Sequence, residues 1–161
     1  MDALEAIRKR RSIRAYTGEA LPKADLEAVV DAGRLAASGY NRQPWDFVVV
    51  TDHATIEALT FVAPWIAQAG AVIAVVVSPL AEFWLEDASA AVENMLIAAT
   101  ALGYGSCWLE GGTKRHEAAL KPLLGVPDDK RLLTLVPLGV PAAWPAPEKR
   151  SLDDVIHWER Y

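Results

Sequence analysis

Ala71-Val72-Ile73-Ala74-Val75-Val76-Val77 is a run of residues without a polar side chain. The full apolar stretch begins at Ala69 and falls well short of the ~20 residues that span a bilayer. It reads as a β-strand, and its uniformity is informative. A strand with one face in water alternates apolar and polar residues; one covered on both faces does not. Residues 71–77 are therefore too uniform for an edge and belong inside a sheet with layers on both faces.

Downstream, Glu82 to Leu102 reads as the longest helix. Leu85, Ala88, Val92, Met95, Ala99 and Leu102 recur at 3–4 spacing, and Gly103 closes it. Its other face is rich in alanine, which predicts burial nearly all round. Ser106 to Leu109 is a short strand or turn, Thr113 to Leu124 a helix, and Arg131 to Val140 a further main strand. Upstream, Phe47 to Val50 reads as a buried strand, His53 to Phe61 as a weak helix and Pro64 to Gln68 as a helical turn. Asp2 can cap a first helix over Ala3 to Lys9, with Leu4 and Ile7 three apart. Pro22 opens another at a position where proline is tolerated. Its apolar face is Leu26, Val29, Val30, Gly33 and Ala37. The tail, about 141–161, is proline-rich and without helical pattern before Leu152. Strands and helices alternate, so the sequence predicts an α/β or α+β sheet with helices on its faces. No repeat or linker divides residues 1–161, which predicts a single domain.

The totals narrow the function. Hydrophobic residues make up 52% of the 161, enough for a proper core, and the excess over an ordinary globular chain suits an interface. Lys plus Arg number 16 against 21 Asp plus Glu, a net charge of -5, the wrong balance for a protein that wraps nucleic acid. The single cysteine, Cys107, excludes an internal disulfide framework. With no signal-peptide pattern at the N-terminus, a soluble cytoplasmic protein without membrane partners is expected.

Against that acidic background Lys9-Arg10-Arg11-Ser12-Ile13-Arg14 is a lone basic knot. Three readings stay open on these residues alone. Cations complement the dipole at a helix C-terminus. Arginine forks and a serine hydroxyl suit a phosphate. A nucleic acid is the third reading, with no second basic stripe to support it.

Three further stretches bear on the choice: Ser38-Gly39-Tyr40-Asn41-Arg42-Gln43-Pro44-Trp45, Gly103-Tyr104-Gly105-Ser106-Cys107-Trp108-Leu109-Glu110-Gly111, and Glu148-Lys149-Arg150-Ser151-Leu152. With the basic knot, in this order and across nearly the whole chain, they resemble the FMN-dependent nitroreductase family, of which this looks like a compact member. The resemblance implies an α+β fold with a central, mostly antiparallel sheet flanked by helices. It also implies an intertwined homodimer, with the tail extending onto the partner and two FMN sites at the interface. Arg10, Arg11 and Ser12 match positions that hold the phosphate end and pyrimidine side of the flavin, and Arg14 matches a cation of the same set. Lys149 and Arg150 match a late basic pair that reaches the phosphate. Family members often space these two by one residue, which would set Glu148 opposite one of them. Ser38, Gly39, Asn41 and Gln43 match a loop that approaches the flavin from the other subunit. Glu110 and Gly111 match a turn whose backbone lies beside flavin N5. Phe83 and Trp84 fall where relatives roof the flavin, and are candidates for the substrate pocket. Only Gln68 stands where some relatives place a lysine or asparagine beside the flavin edge.

The implied activity is an NAD(P)H oxidoreductase. NADH or NADPH would pass a hydride to flavin N5, and a nitroaromatic, quinone or similar small-molecule acceptor would then be reduced in ping-pong order. The residue types suit that chemistry. A phosphate needs neutralising donors, Asn41 and Gln43 offer amides to a uracil-like edge, and a cation such as Arg14 favours charge gathering near N1 and O2. The cofactor carries the reaction, so no catalytic side chain is needed. Other readings are a dehalogenase-like reduction, a flavin carrier or sensor, and a non-redox phosphate-binding module. Some features have plainer readings. Gln43 can serve only to shape the entry into the next strand, Trp45 and Cys107 are expected in the core, and Glu110 can be a surface carboxylate. His53, His116 and His157 lack metal-ligand spacing, so no metal is expected. The glycines of 103–111 are not a dinucleotide fingerprint.

Overall fold

A computed structural model describes all residues, 1–161. The helices are α1 (Ala3–Lys9), α2 (Lys23–Arg34), α3 (His53–Ala58), α4 (Trp84–Ala101) and α5 (Glu110–Leu124), with 3-10 turns at Gly39–Asn41 and Pro64–Gln68. The strands are β1 (Trp45–Val50), β2 (Ala71–Val77), β3 (Gly105–Ser106) and β4 (Arg131–Gly139). They form one sheet in the order β1-β2-β4-β3, antiparallel throughout. This is the α+β arrangement expected.

β2 is central, and every one of its residues is buried. Its side chains alternate between two cores. Val72, Ala74 and Val76 pack with Ile56, Leu59, Ile66, Leu120 and Leu135 beneath α3 and α5. Ala71, Ile73, Val75 and Val77 pack with Leu26, Val29, Val92, Met95 and Ala99 beneath α2 and α4. Double coverage explains the uniform run, whereas strand direction comes from the connections. The pairing slips between Val75 and Val76, opposite Thr134 and Leu132, so Leu133 is an extra residue on β4 that bends the strand locally.

Four expectations need correction. β1 is not fully buried: it is an outer strand, and Val49 is 40% exposed. α2 ends at Arg34, so Ala37 leaves its apolar face and is exposed, and Ala36 is buried instead. On α4, Leu85 and Leu102 lie at the open ends of the stripe and are exposed, whereas Ala91 to Thr100 are buried or half-buried, as the alanines predict. α5 begins at Glu110, before the expected Thr113. Its first turn is secured by the Thr113 hydroxyl, which donates to the Leu109 carbonyl and accepts from the Leu135 N–H at 3.1 Å.

α5 is also tied to the start of β4 by Glu117. Its carboxylate accepts from Arg131 Nε and Nη2, each at 2.8 Å, and from the Leu132 N–H at 2.9 Å. The Arg131 guanidinium holds the Glu117 carboxyl below the ordinary glutamate value of 4.5. A depressed folded value stabilises the fold above the ordinary value and ceases to do so as pH falls through the folded one. Arg131 is half exposed, which limits the gain. Glu117→Gln is expected to lower stability by about 1 kcal/mol at neutral pH and by less in acid, measured by urea unfolding at about pH 7 and about pH 3. An equal loss at both pH values would exclude the ionic contribution.

Candidate functional site

The basic knot straddles the end of α1 and an extended strap beside β3. Asp2 caps α1 by accepting the Glu5 N–H at 2.8 Å, and Arg8 and Lys9 occupy its last turn. The strap alternates as an edge strand does. Ile13 is buried in the core, while Ser12 and Arg14 on either side point away from it. The Ile13 N–H donates to the Ser106 carbonyl at 2.9 Å, and Ser12 pairs with Ser106 in a parallel bridge. The buried Tyr16 hydroxyl sits 2.8 Å from the Ile13 carbonyl and 3.1 Å from that of Pro137, donating there, and burial pushes its pKa up. The strap is therefore fixed on both sides of its cations.

Those cations open onto a cleft of about 550 Å³ lined by Arg10, Arg11, Ser12, Arg14, Pro145, Ala146, Pro147 and Lys149. No carboxylate lines it. Arg10 Nε is 3.2 Å from Glu93 of α4, which is the nearest counter-charge. Arg11 donates to the carbonyls of Arg8 at 2.7 Å and Arg10 at 2.8 Å, so the helix-end reading holds for part of its fork. Its Nε is buried without a partner. Arg14 and Lys149 have no ion-pair partner. Several cations and a hydroxyl in one cleft without a carboxylate fit the phosphate end of FMN in donor type and charge. Cys107 lies behind Ser12 and Arg14; it is buried, and burial pushes its thiol up, partly offset by Arg14 and Ser12. That agrees with a packed thiol.

Arg150 does not line the cleft. Its guanidinium donates to the Asp154 carbonyl within a turn of the tail, where Asp154 also bonds Ser151. Of the late basic pair, only Lys149 joins the knot.

The second group of predicted residues lies elsewhere. The Ser38–Gln43 loop runs against the N-terminal end of α4 and takes no part in the basic cleft. Tyr40, Asn41 and Gln43 all have left-handed backbone, with φ of 53°, 56° and 48°. Such positions cost about 1–3 kcal/mol each in non-glycine residues and persist where surroundings enforce them. Ser38 Oγ accepts the Gln43 N–H at 3.0 Å, and Gln43 Nε2 donates to the Asn41 carbonyl at 3.2 Å. The Gly39 N–H donates to Asp87 Oδ1 of α4 at 2.9 Å. A Cβ at 39 would sit 2.4 Å from Phe83 Cδ2, so a larger residue there must displace the ring. Trp45 is buried with Ala36 and Ala91, as expected of a core residue.

Phe83 and Trp84 do not act as a pair. Phe83 is the residue before α4 and has non-helical backbone, so it covers Gly39 and faces Tyr40 at 6.3 Å, whereas Trp84, the first helical residue, packs against the α2/α4 core. Glu110 and Gly111 are not in a turn but form the first turn of α5, where N–H groups are unsatisfied by the helix itself. The Glu110 carboxylate pairs with Lys114 at the surface, so its charge is spent locally. Sequence reasoning missed Asp87 and Glu93. Asp87 was legible in principle, because it falls on the buried stripe with Ala91 and Met95 at helical spacing. Glu93 carried no such signal. No helix is long and apolar enough to cross a membrane, and no cluster of potential metal ligands occurs.

Comparison with known proteins bears on the same elements. The family model for the nitroreductase family matches residues 7–78 and 60–140. A relative from Archaeoglobus fulgidus, provisionally named NADH dehydrogenase/NAD(P)H nitroreductase, is 40% identical over 151 residues, covering 87% of this chain and 86% of its own. A provisionally named nitroreductase from Desulfovibrio desulfuricans, solved in complex with FMN, superposes with a TM-score of 0.86 at 32% identity, covering 100% of this chain and 98% of its own. A Bacteroides fragilis nitroreductase with bound FMN superposes with a TM-score of 0.83 at 29% identity, covering 98% of each chain. With the antiparallel sheet, its flanking helices and the matched length agreeing, this chain belongs to the nitroreductase family.

Proposed function

We propose that this chain is an FMN-dependent oxidoreductase that takes electrons from NADH or NADPH and reduces small-molecule acceptors such as nitroaromatics or quinones. The observation that carries the reading is the cleft of Arg10, Arg11, Ser12, Arg14 and Lys149, which has no carboxylate in its lining. When bound, FMN supplies the redox chemistry, accepting electrons from the nicotinamide and yielding them to the acceptor. Arg10, Arg11, Ser12 and Lys149 hold its phosphate by charge-assisted hydrogen bonds. Arg14 sets a positive potential at the pyrimidine side and so favours the reduced form. The N–H groups in the first turn of α5, around Glu110 and Gly111, are the donors that would serve the ring edge.

In this reading the Ser38–Gln43 loop serves the flavin of a second copy, because within one chain it takes no part in the cation cleft. The working unit is then a homodimer, with residues 141–161 reaching onto the partner. The tail supports this. Trp144, Leu152, Val155, Ile156 and Trp158 are all exposed, an apolar surface that a lone copy leaves in water.

The first test is an absorbance spectrum of the purified protein between about 300 and 550 nm, then anaerobic addition of NADH or NADPH. Flavin bands that bleach are expected, and the faster donor identifies the nicotinamide. Bands that persist with both donors would instead favour a flavin carrier. No bands after addition of FMN would overturn the reading.

A further inference from the structure

Within the Ser38–Gln43 loop, the bonds between Ser38, Asn41 and Gln43 shape the turn but tie it to nothing outside itself. Burial does not hold it either, since Tyr40 at its apex is 80% exposed. Arg42 only stacks back over Tyr40, 5.6 Å from the ring centroid. Yet Tyr40 and Gln43, besides the more tolerant Asn41, keep left-handed backbone, which persists where the surroundings hold it. Two contacts, one from the residue that precedes α4 and one from its first turn, supply that hold. The Phe83 ring presses on the Cα face of Gly39. Asp87 accepts the Gly39 N–H.

Asp87 is unusual for an acidic residue, being only 6% exposed. A buried carboxylate is retained when its charge is answered. Here the answer is the Gly39 N–H and the N-terminal turn of α4, where unsatisfied N–H groups favour negative charge. Its position on the buried stripe with Ala91 fixes it against the core, so the bond it makes has a rigid base.

We infer that Asp87 is a positioning residue: it locks the Ser38–Gln43 loop in the strained conformation with which the loop meets FMN. This rests on the reading that Ser38, Gly39, Asn41 and Gln43 contact the flavin. Asp87 itself touches neither cofactor nor acceptor. Its removal frees Gly39, lets the left-handed residues relax, and makes FMN restore the loop geometry on binding.

The test compares Asp87→Ala, Asp87→Asn, Asn41→Ala and the double variant Asp87→Ala/Asn41→Ala, all in the full chain. FMN affinity is measured by fluorescence quenching, and amide exchange in the flavin-free protein. Asp87→Ala is expected to weaken FMN about tenfold and Asp87→Asn less, since the amide keeps an acceptor oxygen. Exchange should accelerate at residues 39–43 and stay unchanged in β2. In the double variant the losses should be less than additive, because both act through one loop. Equal acceleration in β2, fully additive losses, or unchanged affinity in Asp87→Ala while Asn41→Ala weakens FMN would each overturn the inference. Should Asp87→Ala not fold, the same exchange and affinity pattern is required of Asp87→Asn. Unchanged affinity in Asn41→Ala would instead overturn the loop assignment beneath it, and the inference with it.

Discussion

Replacing Arg10 and Arg11 together by alanine is expected to strip FMN from the protein while leaving it folded. Each arginine would give up charge-assisted hydrogen bonds to phosphate of about 1.5–3 kcal/mol, so the pair is worth about 3–6 kcal/mol, or ~10²–10⁴-fold in Kd. The fold has little to lose at these positions. The Arg10 partner, Glu93, is half exposed and is rehydrated when the arginine goes. Arg11 helps satisfy the last carbonyls of α1, a short helix at the margin of the domain. Flavin absorbance after gel filtration, with urea unfolding of the same sample, separates the two effects. A double variant that stays fully yellow would refute the phosphate assignment. One that is colourless because it has unfolded would show up in the melt, and single variants would then be required to lose flavin in the folded state.

The other large effect is expected from the tail. If residues 141–161 pack on a second copy, replacing Ile156 and Trp158 by glutamate removes apolar anchors from that interface. Trp158 is 80% exposed in a single chain, so its replacement has little to disturb within it, and Ile156, 36% exposed, lies in the same tail outside both cores. Buried interface anchors are worth about 2 kcal/mol or more each, so the pair should weaken the dimer ~10³-fold. Flavin should leave with the dimer, because the loop carrying Asn41 would no longer be supplied by the partner. Light scattering and flavin content, followed across a dilution series, measure both. A flavin-loaded monomer at any point in the series would refute the shared site. The start of the tail should be unaffected, since the Ala142 N–H is held by the Ala15 carbonyl at 2.9 Å and Tyr16 bridges to Pro141.

The sequence-level errors have a common physical origin. Val49 lies in a run of only four apolar residues, Phe47–Val50, too short to report two-sided coverage as the seven of β2 do, and β1 is an outer strand. α5 starts before Thr113 although Gly111 and Gly112 oppose helix in isolation. Thr113 overrides them through contacts with Leu109 and Leu135, the latter on a distant strand. Phe83 and Trp84 are neighbours in sequence, yet α4 begins at Trp84, so the two side chains go to different surroundings.

What the sequence determined by itself is whatever rests on local periodicity and residue chemistry. The double coverage of residues 71–77 follows from an absence of polar residues. The capped α1, the long α4 closed at Gly103 and the cationic character of residues 9–14 are all written within a few turns of chain. The tertiary structure decided what depends on residues far apart. The sheet order β1-β2-β4-β3 is one case, and the choice of Lys149 over Arg150 for the cleft is another. So is the burial of Asp87 against Gly39, 48 residues away along the chain. A hydrogen bond of that kind leaves no trace in local spacing, because its geometry exists only once the helix and the loop have been packed against the same sheet.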